Sequence, residues 1–379
     1  MKCIDELSAA ELNGKRVLVR AGLDLSLDTN GEVSDMFRVV KAIPTLEFLQ
    51  KAGARVIIIS HIGRDPSETN APVAKALSKF LKVTYIPDHF GPAAKDAIAA
   101  MKPGEIILLE NLRQHYDLEK AKDETFAKSL SALGDIYVND AFSNSHRDHA
   151  SMTVIPKYLP HYAGFLLRDE VNHLQEALHP PRPALVIIGG TKFETKDPVI
   201  RAFVDVYDHV FVVGAIANDV LRARGFPVGK SKVSEHAPEK EIAMHPHLVP
   251  LADVTVENSD GQASVKKPQD VGPDDKIVDV GPDSVKAIAP IIEQAAFILW
   301  NGPTGIYEQG YISYTQQVAQ LAARAVERGA EIVIGGGDTI AAIEAAGVPQ
   351  EKLGFLSTGG GAMLEYLLKG TLPAITALE

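Results

Sequence analysis

Short apolar segments alternate with longer helical segments along almost the whole chain, and this alternation constrains the fold more than any other feature. The apolar segments are rich in β-branched residues, and the segments between them are long enough to form crossover helices. The predicted strands are 16–20, 55–60, 83–86, 106–109 and 135–138 in the first half, and 185–188, 209–213, 277–280, 297–300, 331–334 and 355–356 in the second. Strands joined by crossover helices form parallel sheets, so the sequence predicts an α/β protein.

Length and composition limit the class of protein. With 379 residues, of which 46% are hydrophobic, the chain is long enough for two domains with ordinary cores. No apolar run reaches the roughly 18 residues of a membrane span, and the acidic N-terminal residues are not typical of a signal peptide. Cys3 is the only cysteine, which argues against disulfides, cysteine-based metal sites and redox chemistry. We expect a cytoplasmic protein.

The net charge limits the kind of partner. A formal charge of -11 argues against general binding of nucleic acids. A phosphorylated ligand would therefore need a local basic pocket, which suits a small molecule better than a polymer. We expect small-molecule partners, no nucleic-acid or membrane partner, and a monomeric chain.

The middle of the chain combines a connector helix with a candidate anion site. Residues 167, 171, 174 and 178 form an apolar helical stripe, and prolines at 180 and 181 end it, which predicts a rigid connector helix over 165–180. The next predicted strand runs into Gly189 and Gly190, followed by Lys192 and Lys196 at a predicted helix start. Glycines that expose backbone N–H groups beside two lysines suit an anion. The alternative is an ordinary turn with two solvated lysines.

Basic side chains follow the predicted strands of the first half. Ligands bind beyond the carboxyl ends of strands in open α/β sheets, so these side chains are expected to face one crevice. They are Arg38, His61, Arg64, Arg113, His146 and Arg147. Several arginines in one crevice predict a site for phosphate or carboxylate, and scattered surface arginines are the alternative. His146 and His149 are interpreted as hydrogen-bonding or core residues rather than metal ligands.

In the second half of the chain, the predicted strands are followed by glycine-rich loops rather than by arginines. They follow successive predicted strands at 189–190, 214, 281, 302, 335–337 and 359–361, and together predict a groove of backbone donors for a polyphosphate. Asp338 at a predicted helix start suits Mg²⁺ bound to phosphate oxygens, while Thr339 would contact a phosphate through its hydroxyl or N–H. The alternative is that Asp338 is only a helix N-cap.

Several ordered motifs carry a resemblance to a known family. They are SHIGR at 60–64, LLENLR at 108–113, VNDAF at 138–142 with His146 and Arg147, the glycines and lysines of 189–196, WNGPTG at 300–305, GGGDT at 335–339 and STGGGA at 357–362. In these motifs and their order the chain resembles phosphoglycerate kinase over nearly its whole length. The resemblance implies two doubly wound parallel-sheet domains joined by an interdomain helix, with an active-site cleft between them.

The resemblance also assigns ligands to the domains. It implies a domain for 3-phosphoglycerate over 1–164 with 370–379, the connector helix over 165–180, and a domain for Mg-ADP or Mg-ATP over 181–369. The implied reaction is reversible, direct in-line transfer of a phosphoryl group from 1,3-bisphosphoglycerate to ADP, giving 3-phosphoglycerate and ATP. Two alternatives stay open, a nucleotide-binding relative that acts as a scaffold or regulator without turnover, and a kinase of the same fold that acts on another small acid.

Each matching residue receives a role from the resemblance. The implied 3-phosphoglycerate ligands are Asp24, Arg38, His61, Arg64, Arg113 and Arg147. The implied nucleotide ligands are Gly190, Lys192, Lys196, Gly214, Asn301, Glu308, Gly336, Gly337, Asp338 and Thr339, with Asp338 also binding Mg²⁺. The implied catalytic residues are Arg38, which would approach the transferring phosphoryl group, and Lys192, Gly337 and Gly360.

One departure from the family pattern falls in the implied substrate site. The family usually reads RVDFNVP where residues 20–26 read RAGLDLS, so Gly22 stands in place of an Asp and Asp24 in place of an Asn. This alignment predicts weaker binding of 3-phosphoglycerate, partly restored by the double substitution Gly22→Asp, Asp24→Asn. An alignment with a two-residue insertion would instead make Asp24 and Ser26 the counterparts of the family's Asp and Asn.

A second departure from the family pattern lies near the implied site for the nucleotide base. The family's GGGM becomes Val213-Gly214-Ala215-Ile216, which predicts a narrower or shifted pocket for the base.

Overall fold

The chain divides into two compact units. The structure, a computed structural model, describes residues 1–236 and 238–379. Unit 1 comprises Met1–Asn172 with Thr371–Glu379, and unit 2 comprises His173–Gly370. No helix among the described residues is long and apolar enough to cross a membrane.

Unit 1 is built on a six-stranded sheet in which every neighbouring pair of strands is parallel. Its strands are β1 (Arg16–Ala21), β2 (Arg55–Ile59), β3 (Val83–Tyr85), β4 (Ile106–Leu108), β5 (Ile136–Asp140) and β6 (His161–Ala163), in the spatial order β3-β4-β2-β1-β5-β6. The sequence did not predict β6, since its residues His-Tyr-Ala do not form an apolar run.

Unit 2 contains a five-stranded parallel sheet and a smaller antiparallel one. The strands are β7 (Ala184–Ile188), β8 (His209–Val212), β9 (Val254–Glu257), β10 (Ala263–Lys266), β11 (Lys276–Val280), β12 (Phe297–Asn301), β13 (Glu331–Gly335) and β14 (Phe355–Ser357). The parallel sheet has the order β14-β13-β12-β7-β8, and the antiparallel sheet the order β10-β9-β11. The predicted α/β class with two parallel sheets is confirmed.

One strand was predicted in the parallel sheet but belongs to the antiparallel sheet. The sequence placed 277–280 in the parallel alternation, whereas β11 pairs antiparallel with β9 in the small sheet. The cause is a hairpin that was not predicted, in which Asn258 Oδ1 accepts hydrogen bonds from the backbone N–H groups of Asp260 and Gln262. That turn folds the largely exposed β10 back onto β9, and β9 offers its other edge to β11.

Helices cover the sheets and connect their strands. Before the middle of the chain they are α1 (Ala9–Leu12), α2 (Phe37–Lys51), α3 (Ala71–Leu77), α4 (Pro92–Ala100), α5 (Tyr116–Lys120), α6 (Glu124–Ser131) and α7 (Phe165–Leu178). After it they are α8 (Asp197–Val206), α9 (Ala215–Ala223), α10 (Lys240–Ala243), α11 (Pro282–Gln294), α12 (Ser313–Glu327), α13 (Gly337–Ala345), α14 (Gly360–Lys369) and α15 (Pro373–Thr376). The predicted connector is α7, and the division between the units falls inside it.

The central strands form apolar cores. In β1, Val17, Leu18 and Val19 are all fully buried, as expected of a parallel strand covered on both faces. In β12, Trp300 is fully buried and its indole N–H donates to Gly302 O at 2.7 Å. This bond satisfies the one polar atom of the largest side chain in the core.

Each parallel sheet reverses its strand order at one place. In unit 1 the chain adds β2 on one side of β1 and later adds β5 on the other, so the reversal lies between β1 and β5. In unit 2 the corresponding reversal lies between β7 and β12. At such a reversal the loops from neighbouring strands leave in opposite directions and open a crevice, where ligands bind in open α/β sheets.

Asp140, at the end of β5, predicts a measurable pH dependence of stability. Its Oδ1 accepts from the backbone N–H of Leu167 in α7 at 3.2 Å. Burial raises the pKa of Asp140 from 3.8 to about 7, although the hydrogen bonds that its carboxylate accepts from Thr45, Leu166 and Leu167 oppose the rise. A raised pKa means that the folded protein holds this proton more tightly than the unfolded chain. The stability from Asp140 is therefore complete below about pH 4 and is lost as the pH rises through about 7.

Asp140→Asn should remove this dependence, because the amide keeps an acceptor for Leu167 and cannot ionise. The free energy of unfolding of the variant relative to wild type should increase from pH 4 to pH 7, by at most about 1.4 kcal/mol per pH unit. Urea unfolding of both proteins at several pH values measures this difference. A difference that does not change with pH would contradict the assignment.

Candidate active site

A cluster of positive charge lies at the carboxyl ends of the strands of unit 1. His61, after β2, lies between two arginines, with Arg20 Nη2 at 2.9 Å from Nδ1 and Arg147 Nη1 at 3.3 Å from Nε2. Guanidinium groups can only donate, whereas a neutral imidazole accepts through one nitrogen alone. Burial lowers the pKa of His61 well below its usual value, and Arg20, Arg113 and Arg147 lower it further. His61 is therefore neutral and surrounded by the positive charges of arginines, which a bound anion would partly neutralise.

Arg20 is the residue of this cluster that sequence reasoning missed. Its side chain, at the end of β1, is only 3% exposed and donates to Ser151 Oγ at 3.2 Å and Ala21 O at 2.7 Å. Burial lowers its pKa, while the carboxylate of Glu119 opposes that shift. The available signal was a charged residue near the end of an otherwise apolar strand, RVLVRA, since such a charge is buried only where it has partners.

The loops after β2 and β4 each add one further arginine, Arg64 and Arg113. Arg113 Nε donates to Gly63 O at 3.2 Å, and its guanidinium lies over the ring of Tyr116 at 4.7 Å. Burial lowers the pKa of Arg113, and the neighbouring Arg147 lowers it further. Arg64 follows Gly63 and has an exposed side chain.

Arg38 and Asp24 form an ion pair beside this cluster. Arg38 Nη1 donates to Asp24 O at 2.6 Å and lies 3.1 Å from Asp24 Oδ2. The Asp24 carboxylate acts electrostatically on both Arg20 and Arg113, where it opposes the lowering of their pKa by burial. The structure therefore brings together Asp24, Arg38, His61, Arg113 and Arg147, as the sequence predicted.

Unit 2 carries a groove of about 830 Å³ at the carboxyl ends of its parallel strands. Of the predicted nucleotide residues, those that line it are Gly190, Lys196, Gly214, Asn301, Glu308, Gly336, Gly337, Asp338 and Thr339, and Gly360 lines it as well. Three helices of nine or ten residues, α9, α13 and α14, begin at the groove. Their first N–H groups have no partner within the helix, so the groove favours anions.

The floor of the groove is a close backbone contact at the β7–β12 reversal. Gly302 has φ +109°, and a Cβ there would lie 2.5 Å from the Cα of Gly189. Any side chain at position 302 would push the loops after β7 and β12 apart. The glycine pattern of the sequence thus reflects backbone packing as well as access for a phosphate.

Lys196 is held at the groove by Asn301. Its Nζ donates to Asn301 Oδ1 at 2.9 Å, and Asn301 Nδ2 donates to Gly335 O at 2.8 Å. Burial lowers the pKa of Lys196 from 10.5 to about 8, while the charge of Asp338 opposes that shift. A phosphate beside this ammonium would restore the charged form.

Lys192 differs from its prediction. Residues 193–195 form a short 3-10 turn, and α8 starts only at Asp197, so the two lysines are not successive residues of one helix. The extended backbone of Lys192 leaves its side chain exposed, and it does not line the groove, whereas Thr191 and Thr195 do.

The hydroxyl of Thr339 also differs from its prediction. It donates to Gly335 O at 2.9 Å and accepts from Gly302 N at 2.7 Å, and the side chain is only 1% exposed. Its backbone N–H donates to Gly336 O at 3.1 Å. Thr339 therefore joins the β12 and β13 loops and has no donor directed to a phosphate.

Asp338 fits the predicted Mg²⁺ role. It lies in the first turn of α13 with an exposed side chain, and the N-cap is Gly336, so Asp338 is not held as a cap. The described residues contain no group of three or more His, Cys, Asp or Glu side chains that could hold a metal ion. One carboxylate on a phosphate groove nevertheless suits Mg²⁺, which protein carboxylates and nucleotide phosphates usually bind together.

Comparisons with known proteins agree with this geometry. A model of the family described as phosphoglycerate kinase matches residues 7–370. Phosphoglycerate kinase from Moorella thermoacetica is 40% identical, with 98% of each chain covered. That from Acaryochloris marina is 38% identical, with 100% of this chain and 99% of the relative covered.

Solved structures of the same family resemble this chain over its length. The structure of phosphoglycerate kinase from Coxiella burnetii matches with a TM-score of 0.83 and 34% identity, covering 99% of this chain and 98% of that one. The structure from Pyrococcus horikoshii matches with a TM-score of 0.86 and 28% identity, covering 100% and 98%. The chain belongs to the phosphoglycerate kinase family.

Proposed function

We propose that the protein transfers a phosphoryl group reversibly between 1,3-bisphosphoglycerate and ADP, giving 3-phosphoglycerate and ATP, a step of glycolysis. The observation that carries this proposal is that each unit places anion-binding groups at the strand reversal of its own parallel sheet. Unit 1 has guanidinium groups there, and unit 2 has a groove of helix N-termini with Lys196 and Asp338.

Unit 1 is the proposed site for the phosphoglycerate. Arg113 and Arg147, with Arg20 and the exposed Arg64, bind its phosphate, since planar guanidinium groups pair well with phosphate oxygens. His61, kept neutral by its neighbours, donates or accepts a hydrogen bond without adding charge. Arg38 is paired with Asp24. Its proposed place is at the acyl phosphate end of 1,3-bisphosphoglycerate, from which the phosphoryl group is transferred.

Unit 2 is the proposed site for the nucleotide. The N-termini of α13 and α14, with Gly337 and Gly360, face the terminal phosphates. Lys196 supplies positive charge from within the groove, and Lys192 supplies it from the exposed loop beside the groove. Asp338 holds Mg²⁺, which, when bound, neutralises charge on the phosphate oxygens. Thr339 joins the β12 and β13 loops through its hydrogen bonds with Gly302 N and Gly335 O.

The chemistry needs positioning more than proton transfer. A carboxylate is a good nucleophile and leaving group for phosphoryl transfer, so neither a covalent enzyme intermediate nor a strong general base is required. Arg38, Lys192 and Lys196 instead stabilise the charge on the transferring group. Water has to be kept from the acyl phosphate, and the assignment of the two ligands to different units allows transfer to begin only when both are bound.

The first prediction is that the purified protein forms ATP from 1,3-bisphosphoglycerate and ADP in a coupled assay. Arg38→Met should lower kcat by roughly 100-fold, because it removes charge at the transferring group, and should leave ADP affinity unchanged. Lys51→Met, at the exposed end of the same helix, is the control and should keep full activity. Absence of ATP formation by a wild-type protein that binds Mg-ADP would favour a non-catalytic role, or a kinase for another acid.

The second prediction concerns the pKa of Lys196, which is about 8. Below this pH the ammonium is charged and attracts phosphate, so ADP affinity should fall as the pH rises from 7 to 9.5. Lys196→Met should bind ADP more weakly at pH 7 and lose this pH dependence. Lys232→Met removes an exposed lysine from the same groove and should keep the wild-type profile. Calorimetric titration with ADP measures both, and a dependence that survives in Lys196→Met would exclude this lysine.

The third prediction concerns Asp338. Asp338→Ala should raise the Mg²⁺ concentration for half-maximal activity by about tenfold, equivalent to roughly 1.4 kcal/mol. Glu308→Gln, which removes another exposed carboxylate of the same groove, should leave the Mg²⁺ requirement unchanged. Magnesium titrations at saturating ADP compare the three proteins. Equal requirements in all of them would remove Asp338 from the metal site.

A further inference from the structure

The space beside Gly22 is filled by another residue of the same unit. Gly22 follows β1, and its N–H lies 3.3 Å from Asp140 O, so it lies at the β1–β5 reversal. A Cβ at position 22 would lie 3.2 Å from Ser143 Oγ and 3.2 Å from Ala141 Cα. The hydroxyl of Ser143 therefore borders the position where a side chain at residue 22 would begin, and a Cβ there would be in tight contact with it.

Ser143 is also fixed in orientation. Its Oγ donates to Asp24 Oδ1 at 3.1 Å, and the other carboxylate oxygen of Asp24 lies 3.1 Å from Arg38 Nη1. The result is a chain of contacts from Ser143 through Asp24 to Arg38. Because the hydroxyl proton is engaged with Asp24, the two lone pairs of Ser143 Oγ remain to accept hydrogen bonds from a ligand.

This chain of contacts lies within the basic cluster. Asp24 acts electrostatically on Arg20 and Arg113, and Ser143 lies on the loop between β5 and Arg147. Ser143 is 9% exposed, so a ligand that reaches it replaces little water. Ser26, a polar residue of the loop after β1, is exposed, and its carbonyl accepts from Ser34 N at 3.0 Å.

We propose that Ser143 determines specificity for the hydroxyl group of the phosphoglycerate, by accepting a hydrogen bond from it beside Gly22. The inference rests on the proposed function and deepens it. A serine hydroxyl is an uncharged acceptor, so it recognises a ligand hydroxyl without placing a second negative charge beside an anionic ligand. The single carboxylate nearby, Asp24, is neutralised in part by Arg38.

The test compares two ligands that differ only in that hydroxyl, 3-phosphoglycerate and 3-phosphooxypropanoate. Wild type should bind 3-phosphoglycerate about 3- to 10-fold more tightly, as one net hydrogen bond allows. In Ser143→Ala this preference should fall to nearly one, while the affinity for the analogue and for Mg-ADP stays unchanged. Calorimetric titration measures all of these affinities.

Ser145→Ala is the matched control. It removes a buried hydroxyl from the same loop, where Oγ donates to Ala141 O at 3.0 Å, and it should keep the wild-type preference. An equal loss for both ligands in Ser143→Ala would indicate a structural role and overturn the proposal. So would a preference that survives the substitution, or a wild type without preference.

The outcomes also separate this inference from the proposed function. If wild type forms ATP from 1,3-bisphosphoglycerate but Ser143→Ala keeps the preference, only the role of Ser143 fails. If wild type binds Mg-ADP but neither acid and forms no ATP, the proposed function fails, and the inference fails with it.

Gly22→Asp provides a second, independent readout. Alone it should weaken 3-phosphoglycerate binding, because the new Cβ crowds Ser143 Oγ. Addition of Ser143→Ala should restore part of the affinity, so that the two effects are strongly non-additive. This revises the expectation from the family pattern, since Gly22→Asp, Asp24→Asn would keep the crowding. Additive effects of Gly22→Asp and Ser143→Ala would contradict the shared space.

Discussion

The backbone contact between Gly189 and Gly302 is the constraint on which the architecture of unit 2 depends. These residues follow β7 and β12, the two strands between which the sheet reverses, and their backbones approach too closely for any side chain at position 302. Close approach keeps Asn301 beside the chain that carries Lys196. It also allows Thr339 to join the two loops through Gly302 N and Gly335 O. Backbone packing therefore determines the shape of the groove, and the side chains of Lys196 and Asp338 supply its charge.

Unit 1 uses the same reversal with different chemistry. Its crevice is formed by arginines held at short range, which costs free energy because like charges and burial both disfavour the ionised guanidinium. Part of this cost is offset within the unit, since Glu119 and Asp24 act on Arg20, and His61 stays neutral. The remaining positive field is available to an anion, although the chain as a whole has a net charge of -11. Local arrangement of charge, rather than total charge, decides which ligands bind.

The sequence predicted most of the sheets and much of the site, and the exceptions have physical causes. Strands such as β7 and β12 are almost continuous apolar runs, so their positions were evident, whereas β6, β9 and β10 mix polar with apolar residues and carry no such signal. Arg38, Arg113 and Lys196 follow strands or motifs and were found. The buried position of Arg20 and the proposed role of Ser143 were missed because they arise from contacts far apart in sequence, such as the 3.1 Å bond between Ser143 and Asp24. The hydrogen bonds of the Thr339 hydroxyl to Gly302 N and Gly335 O were not predicted, because sequence does not show which partner a buried hydroxyl chooses.

The central claim is that each ligand is held at the strand reversal of its own unit. The most direct measurement is a heteronuclear NMR titration that follows the backbone amides of both units with each ligand alone. We expect 3-phosphoglycerate to shift the amides of Gly22, Gly63 and Ser143, and Mg-ADP to shift those of Gly190, Gly337 and Gly360. Ligands that shift the same set of amides, or a phosphoglycerate that shifts only the groove of unit 2, would contradict the account.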